Sequence, residues 1–339
     1  MTTTTTDRTL DDAGGRLWVD AWDPGYGSSV RTDDRAESTS TTDLAVEFPV
    51  GTWRPVDPPP GLAAPAAILF VDGVRRIDAR VWIGAPGPAT GGLPAATAGL
   101  CASYAAGVVC CCSAGAHLVK AVVQRGLFTA AEHAVHIATR AGSYRLSEAP
   151  PKAGRTDLDA QSQRLQDDLA ALELSVAETA RVTTAATSGD NDLLVLDGPL
   201  HGAARLPRSI GYIKTHRRDY LQPPERDHVA SLGVGQRTPV FQILTRVPVY
   251  SWYLRLPGEP GAPWAGIVRV ECDGHLTAES AVGLAGLSQV VLGRFASVSY
   301  KDARAPQNLY PIAGLERELR RRLGHPGLLY RALRGAAHR

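Results

Sequence analysis

Ile68-Leu69-Phe70-Val71-Asp72-Gly73 and Leu193-Leu194-Val195-Leu196-Asp197-Gly198-Pro199-Leu200 decide how this chain is read. Each is an apolar run closed by an aspartate and a glycine. Such a run reads as a strand buried on both faces, and the glycine permits a sharp turn or a close backbone approach. Buried strands deliver carboxylates at their tips. Two such acids, far apart in sequence, can converge on one divalent cation, as metal-dependent phosphoryl transfer requires. Either Asp-Gly alone is ordinary turn chemistry; the repeated context raises the pair above that.

Around these runs the pattern predicts a mixed α/β fold. Ala67 to Val71 is a first strand. Ile77, Ala79, Val81 and Ile83 alternate with Arg76, Asp78, Arg80 and Trp82, which predicts its hairpin partner over 75–83. Leu100 to Cys112 supplies a third strand. Leu165, Leu169, Leu172 and Val176 form the stripe of an amphipathic helix within Asp157 to Thr184. Short strands are expected over 209–214, 239–245, 250–256 and 266–271, and helices over 278–292 and 314–323. Antiparallel strands first, then a helix, the second acid-bearing strand and closing helices make a layered architecture with a mixed sheet. The expected partition is an N-terminal arm over 1–55, partly disordered, a core domain over 56–325 entered through the extended Val56-Asp57-Pro58-Pro59-Pro60, and a basic tail over 326–339.

The 339 residues suffice for one large domain or two ordinary ones. A net charge of +2 hides an acid excess up to about Glu47 and a basic end around Arg317, Arg320, Arg321 and Arg322. That end suits a polyanionic partner, and equally a solvated helix surface. The cysteine count is odd, five, which argues for reduced thiols and a cytoplasmic location. Cys110, Cys111 and Cys112 are consecutive, and no pair of CxxC motifs occurs, so a zinc site is not expected. The first residues lack the basic and apolar segments of a signal peptide, and no apolar stretch is long enough to cross a bilayer, so no membrane is implied. GxxxxGK[ST], a post-strand GxGxxG and GxSxG are all missing, which removes nucleotide binding by those routes and serine hydrolysis. His133 and His136 read as residues of an ordinary helix.

A third acid belongs on the helix before Asp197. At about 100° per residue, Asp168 and Glu173 lie at the margins of the leucine stripe, each roughly 70° from its centre, while Glu178 lies about 150° away toward solvent. Asp168 or Glu173 therefore suits a ligand approaching the sheet. Lys214 ends the strand Ile210-Gly211-Tyr212-Ile213-Lys214, a position from which an ammonium can neutralise a scissile phosphate. Arg217 and Arg218 offer further phosphate donors.

Taken in order, Val71-Asp72-Gly73, a helical Leu172-Glu173, Leu196-Asp197-Gly198-Pro199-Leu200 and Gly211-Tyr212-Ile213-Lys214 resemble the NurA nuclease family. Tyr253-Leu254-Arg255-Leu256, Val268-Arg269-Val270-Glu271 and Asn308-Leu309-Tyr310-Pro311 continue the likeness, over roughly residues 65–323. The resemblance implies an RNase H-like mixed β-sheet flanked by helices. It implies a DNA nuclease dependent on Mn2+ or Mg2+, acting on single strands and 5′ ends, in DNA repair or defence. It also implies a homodimer docked on a HerA-type hexameric ATPase that translocates DNA. Carried over by motif, Asp72, Glu173 and Asp197 are metal ligands, Lys214 faces the phosphate and Arg255 contacts substrate. The family's C-terminal tyrosine-proline leads to a histidine that completes the site. Here Tyr310-Pro311-Ile312-Ala313-Gly314-Leu315-Glu316 holds none; Glu316 is the expected substitute, with Asp302 and Asn308 as alternatives. An acid such as Glu316 is equally at home in the first turn of a helix. The departure admits a second reading, a catalytically weakened NurA-like adaptor that dimerises, binds DNA and regulates the translocase. A guide-strand-binding module of the Piwi type has no nucleotide-end pocket visible in the sequence.

Overall fold

The computed structural model describes residues 36–37, 40–84, 96–189, 191–200, 206–216, 218–259 and 264–337. In chain order the strands are β1 (Ala36–Glu37), β2 (Thr41–Asp43), β3 (Ala67–Gly84), β4 (Ala96–Cys112), β5 (Gly115–Thr129), β6 (Ile137–Thr139) and β7 (Gly142–Glu148). Helix α1 (Asp157–Ser188) leads to β8 (Asp192–Asp197), β9 (Ser209–Ile213), β10 (Arg218–Asp219), α2 (Glu225–Ala230) and β11 (Phe241–Leu244). The chain closes with β12 (Val249–Arg255), β13 (Ile267–Asp273), α3 (Ala278–Leu292), α4 (Tyr310–Arg322) and α5 (Pro326–Ala337). These elements form two compact units.

The larger unit comprises Ala63–Ile213, Glu271–Asp273 and Tyr310–Arg339. Its strand order is the end of β13, then β9, β8, β3, β4, β5, β7 and β6. Strands β3, β4 and β5 form an antiparallel meander. β8 runs parallel to β3, and β9 parallel to β8. A parallel return to the middle of a sheet needs a crossover, and α1 supplies it. The core order β5-β4-β3-β8-β9 is the arrangement expected of an RNase H-like sheet. Residues Leu193, Leu194 and Val195 of β8 have no solvent exposure, as a central parallel strand covered on both faces requires. On one face Leu165, Leu169, Leu172 and Val176 of α1 pack with Leu69, Val71, Ala106 and Val108. On the other, Leu315 and Leu319 of α4 pack with Val74 and Ala105, and Leu333 of α5 with Cys101, Leu127 and Tyr144. Helix α1 starts on a capping box between Thr156 and Asp159. Near its far end Arg181 grips Asp192 through two hydrogen bonds of 2.6 and 3.0 Å, fixing the helix to the start of β8.

Several expectations are corrected. Residues 75–83 are not a hairpin partner of 67–71 but the continuation of one 18-residue strand. The alternation was real; the turn was not, because Gly73 pairs with Ala106 within the ladder and its φ is not positive. The partner is β4, followed by β5, whose mixed sequence gave no strand signal. His133 and His136 lie outside any helix, and His136 Nδ1 accepts the Leu146 N–H at 2.8 Å. Within the expected basic tail, residues 326–337 form a helix with Leu329 and Leu333 buried. Among the described residues no helix is long and apolar enough to cross a membrane.

The smaller unit comprises the described residues of Met1–Leu62, Lys214–Val270 and Gly274–Leu309. Its strands run in the order β2, β11, β12, β13, and β1 pairs with β10. Trp53, Phe241 and Tyr253 share a core cluster. The expected N-terminal arm is in part a sheet component, since β2 pairs with β11 and Glu47 anchors the unit's interior. Glu47 binds Arg237 through contacts of 2.6 and 2.8 Å and also accepts the Val240 N–H at 2.7 Å. Arg237 is 3% exposed, and Gln289 Oε1 takes its remaining Nε–H at 3.0 Å. The rest of the expected arm, residues 1–35 and 38–39, lies outside the described residues. Removing one partner of a buried, hydrogen-bonded ion pair leaves the other charge without its counter-ion. Glu47→Ala is therefore expected to lower unfolding stability by about 3 kcal/mol, read from urea midpoints at unchanged m-value. A loss below about 0.5 kcal/mol would show that the pair behaves as a surface contact.

Candidate active site

The β3–β8 register pairs Val71 with Leu196, so Asp72 and Asp197 follow as neighbours on adjacent strands. Adjacent strands lie about 4.8 Å apart. Val71 and Leu196 both belong to the cluster under α1; strand alternation therefore turns Asp72 and Asp197 to the opposite face. Asp72 is 8% exposed and sits in mid-strand, paired on its other side with Gly107. Asp197 is half-buried and ends β8 opposite Tyr212. Burial first, and then the Asp197 charge, holds the Tyr212 hydroxyl well above its ordinary range.

Glu173 comes from α1, on the other face of the sheet. The residue that admits it is Gly73. A side-chain carbon there would collide with Glu173 Oε1 and lie 2.8 Å from Leu169 Cδ1. The missing side chain is thus the space into which the carboxylate packs, directly beside Asp72. The Glu173 carboxyl is pushed from 4.5 up to about 8, by burial first, then by the charges of Asp72 and Asp197. The three acids therefore sense one another, yet their ligand atoms do not all fall within 4.8 Å, a spacing that Cys110, Cys112 and His117 alone meet among the described residues. Approach from opposite sides of a sheet explains the wider spacing.

The loop after Asp197 is fixed by its own contacts. Gly198 has φ +107°, its N–H donates to Tyr212 O at 2.8 Å, and Leu200 N–H donates to Glu271 Oε1 at 2.9 Å. Gly211 leaves the room this requires, since a side-chain carbon there would lie 2.8 Å from Gly198 O. Glu271 is 4% exposed and went unnoticed as a positioning residue. Its only sequence signal is a carboxylate next to Val270 and Cys272 inside a short strand.

The other expected residues are placed as follows. Asp168, the alternative to Glu173, is occupied by Ser147 Oγ at 2.8 Å and Arg164 at 3.0 Å. Glu178 is exposed. Glu316 follows Leu315 on α4 and pairs with Arg320 at 2.9 Å. In the smaller unit, Lys214 Nζ lies 3.5 Å from Asn308 Oδ1, and Asn308 Nδ2 donates to Asp302 Oδ2. Asp302 and Asn308 thus form a chain with Lys214 within that unit. Arg255, expected from the resemblance as a substrate contact, donates to the carbonyls of Leu232, Ala265 and Ala230. Burial lowers its pKa. Arg218 is exposed, and Arg217 lies outside the described residues.

Neither family models nor curated proteins match the sequence. Among solved structures the chain is similar to the NurA nuclease from Sulfolobus solfataricus, with a TM-score of 0.44 and 12% identity over 80% of this chain and 84% of that one. It is also similar to Endonuclease V from Bacillus subtilis, with a TM-score of 0.32 and 14% identity over 75% and 79% of the two chains. A third is Endonuclease V from Ciona intestinalis, solved with a 24mer DNA containing an inosine, with a TM-score of 0.31 and 11% identity over 76% and 86%. Likeness at this level assigns no activity.

Gly73→Ala is expected to destabilise the chain by roughly 1–3 kcal/mol through overpacking. Part of that loss returns when Glu173→Ala is added, because the carboxylate is what the new methyl meets. Urea unfolding of the double-mutant cycle should show a coupling of at least about 0.5 kcal/mol; strict additivity would place Glu173 elsewhere. A pH effect follows from the raised carboxyl. The folded chain keeps the Glu173 proton up to about pH 8, whereas the unfolded chain releases it near 4.5, so folding stability falls as pH rises through that window. With a chelator present, Glu173→Gln should raise Tm over the wild type by at least about 2 °C at pH 9 and leave it nearly unchanged at pH 4. An equal difference at both values would contradict the assignment.

Proposed function

We propose that the chain is a divalent-metal-dependent phosphodiester hydrolase acting on DNA. The observation that carries this reading is the convergence of Asp72, Glu173 and Asp197, where burial first and then the two aspartate charges push the Glu173 carboxyl up to about 8. Such crowding is the charge pattern that a bound cation relieves. An all-carboxylate donor set suits Mn2+ or Mg2+, which favour oxygen ligands. When bound, such an ion stabilises charge on a phosphoryl oxygen and makes water acidic enough to supply the nucleophile. The chain's own contribution is positional. Asp72 is set by the β3 ladder, Asp197 by the β8 end and the loop that Glu271 ties down, and Glu173 by the space at Gly73. With those oxygens in place, a phosphodiester can be oriented for in-line attack.

The finer reading rests on the resemblance to the NurA family noted in the sequence. It assigns Lys214 to the phosphate charge, action on single strands and 5′ ends, a homodimer, and work with a HerA-type hexameric translocase in repair or defence within the cytoplasm. The lack of a histidine between Tyr310 and Arg317, with Glu316 paired to Arg320 in that region, favours the second reading, an adaptor of the same fold that grips DNA without cutting it.

Labelled single-stranded and duplex DNA, incubated with Mn2+, tests both. The wild type should cleave, and Asp72→Asn and Asp197→Asn should each lower the rate by at least about 100-fold with folding retained. Full activity in both variants would remove the acids from the chemistry. DNA binding without cleavage by the wild type, alone and with its translocase, would leave the adaptor.

A further inference from the structure

A second cluster of ligating side chains lies at the tip of the β4–β5 hairpin. Cys110 and Cys112 are two apart on β4, so their side chains leave the same face. The ladder sets Cys110 opposite His117 and Cys112 opposite Gly115. One ligand atom from each of Cys110, Cys112 and His117 lies within 4.8 Å of the others. No CxxC spacing announces this group; hairpin register assembles it.

The donor set is two thiols and an imidazole, which favours a thiophilic tetrahedral cation. Zn–S bonds of about 2.3 Å and Zn–N bonds of about 2.0–2.1 Å place such ligands roughly 3.3–3.8 Å apart. Two residues along a strand put their Cα atoms about 6.6 Å apart, the outer limit for a disulfide, and both cysteines are free thiols. The spacing thus suits an ion better than an S–S bond. Gly115, at φ +92°, turns the hairpin so that its carbonyl oxygen lies 3.3 Å from His117 Nδ1 and 3.9 Å from Cys112 Sγ. A proton on Nδ1 directed at that carbonyl leaves the imidazole lone pair on Nε2, the arrangement that orients metal-bound histidines. Cys112 is half-buried and His117 exposed, so an ion has a path in and a fourth position open to water.

We propose that Cys110, Cys112 and His117 form a zinc site that pins the β4–β5 hairpin tip, separate from the carboxylate cluster. Cys110 lies three ladder steps beyond Gly107, the partner of Asp72, or roughly 10 Å along β4. Binding expels one proton from each thiol, so two protons leave for every Zn2+ taken up.

Co2+ is the probe, because its thiolate charge-transfer band and tetrahedral d–d bands report sulfur ligands and ignore a carboxylate site. Full-length protein is stripped with a chelator, saturated with Mg2+ and titrated with Co2+, then with Zn2+. One equivalent should produce the thiolate band, and Zn2+ should abolish it while raising Tm. Cys112→Ser and His117→Ala, both outside the buried core, should weaken binding by at least about 100-fold and remove the zinc-dependent rise in Tm. Cys111→Ser, on the opposite face, and Asp72→Asn should keep the band. A wild type without the band, or a band that survives Cys112→Ser, overturns the proposal.

Discussion

The parallel ladder between β3 and β8 is the constraint from which the rest of the larger unit follows. Pairing Ala67 with Asp192 and Val71 with Leu196 fixes which residues meet α1 and which meet α4. A slip of one residue would exchange the two faces of β8 and bring Asp197 under the helix. Register here is enforced by burial, because the apolar residues of β8 have no exposed face on which to sit. The same pairing brings Asp72 and Asp197 abreast. Fold stability and the placement of charge are therefore set by one set of contacts.

Three glycines serve this arrangement in three ways. Gly73 supplies volume for a carboxylate, Gly198 supplies a left-handed backbone, and Gly211 lets a loop lie close on a strand. Glu271 completes the loop by accepting a buried N–H that would otherwise be unsatisfied. The arrangement is not optimised for stability. A carboxyl held near 8 is a group that folding disfavours in its charged form, as is common where a site is shaped for a ligand.

Much of this was legible in the sequence because apolar periodicity carried it. The leucine stripe of α1, the apolar β8 and the margin position of Glu173 follow from spacing alone. The Asp72-Gly73 step was misread as a turn, since glycine punctuates turns and also makes room, and composition does not distinguish the two. β5 was missed because its outer half is exposed and mixes Lys120, Gln124 and Arg125 with valines. The Cys110–His117 proximity needed the hairpin register, and Glu271 needed a partner 71 residues away. The last two are set by pairing between distant residues, which local pattern does not encode.

Asp72 and Asp197 differ in how their backbones are held. Asp72 lies inside an 18-residue strand with a ladder on both sides. Asp197 ends its strand and passes into a loop secured by the amides of Gly198 and Leu200. Amide hydrogens around Asp72 are therefore expected to exchange with solvent more slowly than those of the loop, which needs a smaller opening.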